Sequence, residues 1–158
     1  MAKALVAYFS ASGVTKKLAE NLAGAIGADT FEIVPEQIYT DADLNWQDQK
    51  SRSSVEMKDR SCRPAIASKV ENTAQYDVIF VGFPVWWYRE PSIIDTFAEA
   101  YDFGGKTIVP FATSGSSGIG ESGKNIGERA KDAHVYAGKR FEANASADEL
   151  RKWAEEYL

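Results

Sequence analysis

The stretch Ala4-Leu5-Val6-Ala7-Tyr8-Phe9-Ser10-Ala11-Ser12-Gly13-Val14-Thr15-Lys16 decides the fold. Residues 4–9 form a short, continuous apolar run, as a strand buried on both faces requires. From Val14 the apolar spacing becomes helical: Val14, Leu18, Leu22, Ala25 and Ile26 fall on one side, until Gly27 stops the pattern. Between strand and helix lies one tight polar loop. A helix N-terminus offers free backbone N–H groups and the positive end of the helix dipole. Ser10, Ser12 and Thr15 add three hydroxyl donors around Ala11, and Gly13 lets the backbone curl closely about an anion. A plain helix cap needs only one hydroxyl, from Ser10 or Ser12. The fuller set points to a phosphate cradle.

The rest of the chain continues the alternation. Residues 30–34 are short, β-branched and partly alternating, as an edge strand should be. Residues 35–73 are polar, mixed and long for a connection, with Tyr39, Trp46 and a charged run over 47–60. Part of this segment is expected to be helical, without a boundary that can be placed. A second apolar run, Val78-Ile79-Phe80-Val81, lies within 77–84. Pro91 then opens a helix that carries Ile93, Ile94, Phe97, Ala98 and Tyr101 on one face. Residues 107–111 form a third buried strand. Pro110 cannot donate to a ladder and is expected near its end or at a bulge. A glycine-diluted helix over 119–132 and a weak strand over 134–137 follow. Ser146-Ala147-Asp148-Glu149 is a capping-box pattern ahead of a last helix with Leu150, Trp153, Ala154 and Tyr157 on its apolar face. This order predicts an α/β, doubly wound, three-layer sandwich. The three strong strands are central in a parallel sheet and the two weak ones lie at its edges. Residues 1–158 read as a single domain with an insertion at about 35–73.

Composition narrows the function. The chain has 158 residues, 44% hydrophobic and 26% charged, which is ordinary globular composition. A net charge of −5 and a pI of about 5.0 argue against a nucleic-acid partner. The apolar run at 4–9 is far too short to cross a membrane, and a signal-peptide layout is absent, so a cytoplasmic location is expected. The lone Cys62 cannot form an internal disulfide, in keeping with a reducing compartment. Arg60 and Arg63 flank it and are expected to lower its pKa somewhat, without a catalytic role.

In such sheets ligands bind outside the carboxyl ends of the strands, where the strand order reverses. After the second strong strand comes Pro84-Val85-Trp86-Trp87-Tyr88-Arg89-Glu90-Pro91. Three consecutive aromatics cannot all point into the core, and leaving them bare costs solubility unless something covers them. A flat ligand stacked on one ring, with another ring packed on the 35–73 segment, satisfies both demands. Arg89 either points toward such a ligand or is a surface residue paired with Glu90. The third loop reads Thr113-Ser114-Gly115-Ser116-Ser117-Gly118-Ile119-Gly120. It looks like the nucleotide loop of short-chain dehydrogenases, but too little chain follows for that fold. Residues 118–125 approach a P-loop, but Asn125 stands where Ser or Thr would hold magnesium. A small hydroxyl-rich loop can still approach a planar ring and hydrogen-bond its edge.

Together these loops resemble the flavodoxin family over the whole chain. They look closest to a bacterial subgroup with Asp43-Leu44-Asn45-Trp46, Arg63-Pro64 and a Pro-x-Trp-Trp loop at 84–87. The resemblance implies a flavodoxin-like five-stranded parallel sheet of order 2-1-3-4-5, with FMN as cofactor. Ser10, Ala11, Ser12, Gly13, Val14 and Thr15 would hold its phosphate. Pro84, Val85, Trp86, Trp87 and Tyr88 would flank the isoalloxazine ring. Thr113, Ser114, Gly115, Ser117 and Gly118 would line the other side. Two departures stand out: the third loop has no aromatic to cover the outer ring face, and the second has no Gly or Asn to ease a peptide flip.

The leading expectation is an FMN-binding electron-transfer protein in which the flavin does the redox chemistry. Its partners would be redox proteins or a small-molecule electron acceptor, with the chain as monomer or homodimer. No catalytic residue or metal ligand is assigned. The open third loop makes an FMN-dependent NAD(P)H:quinone-type oxidoreductase the alternative. A flavin-free binding module on the same scaffold is the third. A receiver domain is excluded by the lack of an acidic cluster after the first strand, and a low-molecular-weight phosphatase by the lack of Cys in the phosphate loop.

Overall fold

A computed structural model describes residues 3–114 and 118–158. Strand β1 (Ala4–Tyr8) leads into helix α1 (Val14–Ile26), followed by β2 (Asp29–Glu32). Helix α2 (Arg52–Lys58) lies inside the long connection, ahead of β3 (Val78–Pro84) and α3 (Ser92–Ala100). Then come β4 (Thr107–Thr113), α4 (Ser122–Arg129), β5 (His134–Val135), β6 (Lys139–Phe141) and α5 (Ala147–Glu155). The strands pair in parallel in the order β2-β1-β3-β4-β5, with β6 also on β4. The three apolar runs are therefore central, and the point of reversal lies between β1 and β3.

Alternation along the central strands sends side chains to two cores. Leu5, Ala7, Phe9, Ile79, Val81, Phe83, Ile108 and Ala112 face α3 and α4, where Ile93, Ile94, Phe97 and Ile126 meet them. Val6, Tyr8, Val78, Phe80, Val109 and Phe111 face α1 and α5, against Leu18, Leu22, Leu150 and Ala154. Each fully buried large side chain contributes about 1.5–3 kcal/mol, and the two layers together fix the strand ends. No described helix is long and apolar enough to cross a membrane.

Two expectations about the far edge need correction. Pro110 sits in the middle of β4, not near its end, and the neighbouring edge is split into two short strands instead of one. The Ile108 carbonyl accepts from the Tyr136 N–H at 3.0 Å, so the alternation of a parallel strand turns Pro110 toward the same edge. The missing proline donor falls at the break between β5 and β6. Gly138 carries the chain past it at φ 81°, where a Cβ would come within 2.2 Å of the Pro110 carbonyl oxygen. The gap that separates β6 from β5 thus lies opposite the proline.

Candidate functional site

The first loop runs from the carboxyl end of β1. Ser10 Oγ accepts from the Gly13 N–H at 3.0 Å, which curls the loop back on itself. Gly13 is the N-cap of α1 at φ 93°, and no side chain caps this helix. The first satisfied helical donor is Lys17 N–H, to the Gly13 carbonyl at 3.2 Å. The N–H groups of Val14, Thr15 and Lys16 have no acceptor among the described residues. The simple-cap reading of Ser10 or Ser12 is therefore wrong: the helix N-terminus is left open, with Ser12 and Gly13 exposed.

The second loop is a two-residue turn. Trp86 N–H donates to the Arg89 carbonyl at 3.0 Å, and Arg89 N–H donates to the Trp86 carbonyl at 3.2 Å. Trp87 and Tyr88 take φ values of 49° and 64°, the pattern of a type I′ turn, which favours Asn and Gly. Bulky residues in this region are strained by about 1–3 kcal/mol each, and such strain collects at ligand sites. Its result is display: Trp87 is 40% and Tyr88 76% exposed. Residues of the wrong type for a tight turn nonetheless form one, so the missing Gly or Asn is no bar to positive φ here.

Trp86 turns inward. It meets Phe9 edge-on (centroids 5.6 Å apart) and Tyr39 edge-on (5.4 Å). The Arg52 guanidinium lies 3.8 Å over the Tyr39 ring, and Arg52 Nε pairs with Glu56 Oε2 at 2.8 Å. The Tyr39 hydroxyl donates to the same Glu56 carboxylate. Burial, then this bond, pushes the Tyr39 hydroxyl far above its usual range, so it stays protonated. One tryptophan thus packs on the 35–73 segment while the next is displayed. A cleft of about 80 Å³ opens between Phe9, Ser10, Ala11, Val34, Ile38 and Tyr39, on the β2 side of the first loop.

The third loop joins the other two. Thr15 Oγ1 and Thr113 Oγ1, both buried, share a hydrogen bond of 2.8 Å. The Val85 N–H donates to the Thr113 carbonyl at 3.0 Å. Arg140 on β6 donates to Ser114 Oγ (3.1 Å) and to the Ser114 carbonyl (2.7 Å). Gly118 is exposed, and Gly120, at φ 61°, lies so close to the turn that a Cβ would meet the Tyr88 carbonyl oxygen at 2.5 Å. Gly115 and Ser117 lie outside the described residues. The first two loops and the described ends of the third converge at the carboxyl ends of β1, β3 and β4.

The model of a family described as flavodoxin matches residues 3–157. The chain belongs to the flavodoxin family. Among solved structures it is similar to a candidate flavoprotein from Bacteroides eggerthii DSM 20697, at 47% identity and TM-score 0.93 over 99% of this chain and 98% of that one. A candidate flavoprotein from Bacteroides uniformis ATCC 8492 is 45% identical, with TM-score 0.89 over 98% of each chain. A flavoprotein in complex with FMN from Lactobacillus acidophilus NCFM is 25% identical, with TM-score 0.72 over 98% of this chain and 99% of that one. No curated protein matches.

On this flavodoxin-family scaffold, several features lie outside the sequence reading. Arg89 does pair with Glu90, at 3.6 Å, but in a different setting. It is buried, not on the surface, and its guanidinium turns to Glu90 and Asp95 inside the fold. Charged residues read as exposed in a sequence, and partners from distant segments, Asp95 on α3 and the Met57 carbonyl on α2, help make the burial tolerable. Cys62 also differs: burial, then Glu56 and Asp59, pushes its thiol up despite Arg63 and Arg52. Tyr39, Arg52 and Arg140 support the site through contacts distant in sequence, which no local periodicity announces. His134 stands exposed, edge-on to Tyr136 at 4.6 Å.

Proposed function

We propose that this flavodoxin-family protein binds FMN and carries electrons. The observation that carries the reading is the uncapped N-terminus of α1 held beside the displayed Trp87–Tyr88 turn, tied together through Thr113. An open helix end with hydroxyls suits a phosphate dianion. Aromatic rings held out of the core suit a flat heterocycle. Ser10, Ala11, Ser12, Gly13, Val14 and Thr15 would hold the phosphate through backbone and hydroxyl donors. Pro84, Val85, Trp86, Trp87 and Tyr88 would flank the ring, with Trp86 as the braced wall and Trp87 and Tyr88 as the exposed faces. Thr113, Ser114, Gly115, Ser117 and Gly118 would line the opposite side. Bound FMN supplies the one- or two-electron redox chemistry, while the protein sets its access and potential. Apolar rings around the site disfavour added negative charge and lower the potential. The chain would act as one domain in the cytoplasm, with a redox protein or small-molecule acceptor as partner.

The FMN-bound relative from Lactobacillus acidophilus supports the cofactor. A glycine- and serine-rich third loop, leaving one ring face open to nicotinamide or quinone, favours a second reading as an NAD(P)H:quinone-type reductase. Stopped-flow mixing of the FMN-loaded protein with NADPH, with and without a quinone, separates the two. A carrier oxidises NADPH only when a separate reductase is added. Multiple turnovers with NADPH and quinone alone make it an enzyme.

A further inference from the structure

Beneath the Trp86–Arg89 turn lies a buried ionic cluster of Arg89, Glu90 and Asp95. Glu90 and Asp95 are both 0% exposed. Arg89 Nη1 lies 3.6 Å from Glu90 Oε2 and 3.6 Å from Asp95 Oδ2. The same nitrogen donates to the Glu90 carbonyl at 3.0 Å, and Nη2 donates to the Met57 carbonyl at 3.1 Å. Asn125 Nδ2 donates to Glu90 Oε1 at 3.0 Å. Glu90 Oε2 and both Asp95 oxygens remain, buried and without a hydrogen-bond donor among the described residues.

Two ionised carboxylates in this position would leave three buried acceptors empty and two like charges adjacent. One proton removes the like-charge contact and satisfies two of the three oxygens, leaving one Asp95 oxygen as a neutral acceptor. A neutral Asp95 donates to Glu90, and a single negative charge then faces Arg89. Burial first, and then the bond to Glu90, pushes Asp95 up to about 8 against the pull of Arg129 and Arg89. The remaining charged neighbours do not replace the proton. Arg129 on α4 and Arg63 after α2 pair with Glu99 at 3.9 Å and 2.7 Å, Arg129 Nε being buried without a hydrogen-bond acceptor among the described residues, and Arg60 repels Arg89.

We propose that Glu90 and Asp95 are positioning residues whose shared proton holds the Trp86–Arg89 turn in its FMN-binding shape, so that losing the proton lowers FMN affinity. This rests on the FMN reading above. The link is short and covalent. The N–H and C=O of Arg89 close the turn, and Arg89 and Glu90 are consecutive. Without the proton the paired carboxylates repel and draw in water, and the segment that moves carries the turn. Trp87 and Tyr88 hold positive φ only while that frame is rigid.

The test is the FMN dissociation constant of the full chain from pH 7.2 to 9.2, read by flavin fluorescence, for wild type and Asp95→Asn. The ratio of the two cancels any titration of FMN itself. The wild-type constant is expected to rise about tenfold relative to the variant, which stays at the low-pH affinity. Parallel profiles overturn the proposal. If Asp95→Asn does not fold, Glu90→Gln replaces it. Removing the neighbouring charge should move the wild-type transition to lower pH, and an unmoved transition overturns the proposal. No binding by wild type at any pH overturns the FMN reading itself, and this inference with it.

Discussion

Replacing Gly120 by alanine tests whether the third loop braces the aromatic turn. Gly120 and Gly105 both hold positive φ, 61° and 77°. A Cβ at Gly105 meets nothing within 4 Å, whereas one at Gly120 meets the Tyr88 carbonyl oxygen at 2.5 Å, against an ordinary contact of 3.4 Å or more. Gly105→Ala therefore costs only the left-handed alanine, about 1 kcal/mol. Gly120→Ala adds an overlap of roughly 0.9 Å with a backbone atom that cannot yield freely, since the turn is closed by two hydrogen bonds. Overpacking of this kind costs a further 1–3 kcal/mol or so. Urea unfolding of the two variants should differ by about 1–3 kcal/mol, or roughly 3–9 °C in Tm. Because the overlap pushes on Tyr88, FMN affinity should also fall about tenfold or more in Gly120→Ala and stay unchanged in Gly105→Ala. Two variants that agree within about 0.5 kcal/mol and bind FMN alike would refute the bracing.

Other expectations follow from the same geometry. Asp95 is held near 8 in the fold against 3.8 as a free side chain. The folded state therefore binds the extra proton between those values, and stability should fall as pH rises through that window, by at most about 1.4 kcal/mol per pH unit. Asp95→Asn lacks this loss, so its advantage over wild type in denaturant melts should grow from pH 4 to 8 and then level off; parallel curves would show Asp95 ionised throughout. Thr15→Val leaves the buried Thr113 hydroxyl without its 2.8 Å partner. It should cost about 1–2 kcal/mol in urea unfolding and also weaken FMN binding, and a loss of stability alone would remove Thr15 from the site. Tyr39→Leu removes the ring between Arg52 and Trp86, so tryptophan fluorescence should shift to the red and FMN should bind more weakly, by about 1–2 kcal/mol in isothermal titration.

Much of this was legible in the chain. The runs at β1, β3 and β4 are apolar on both faces, so their central places follow from composition alone. The opening loop announces itself by its hydroxyls and by the break from strand to helical spacing. What stayed hidden depends on partners far apart in the sequence. Lys139 and Arg140 give β6 no apolar signature, and its separation from β5 falls opposite Pro110 on the neighbouring strand. Trp87 and Tyr88 are residue types that argue against a type I′ turn, so their conformation is visible only once Gly120 and the buried Arg89 are seen to hold them. Helix α2 is short and capped by Ser51, and it is anchored by Tyr39 and Arg52 contacts instead of an amphipathic stripe.

The central claim is tested most directly by titrating the purified chain with FMN at pH 7 and following the visible spectrum and flavin fluorescence. The account predicts one FMN per chain, strong quenching by the aromatic turn, and a dissociation constant below about 1 μM. Absence of binding, or binding without quenching, would contradict it and leave the open end of α1 and the displayed Trp87 and Tyr88 to a different ligand.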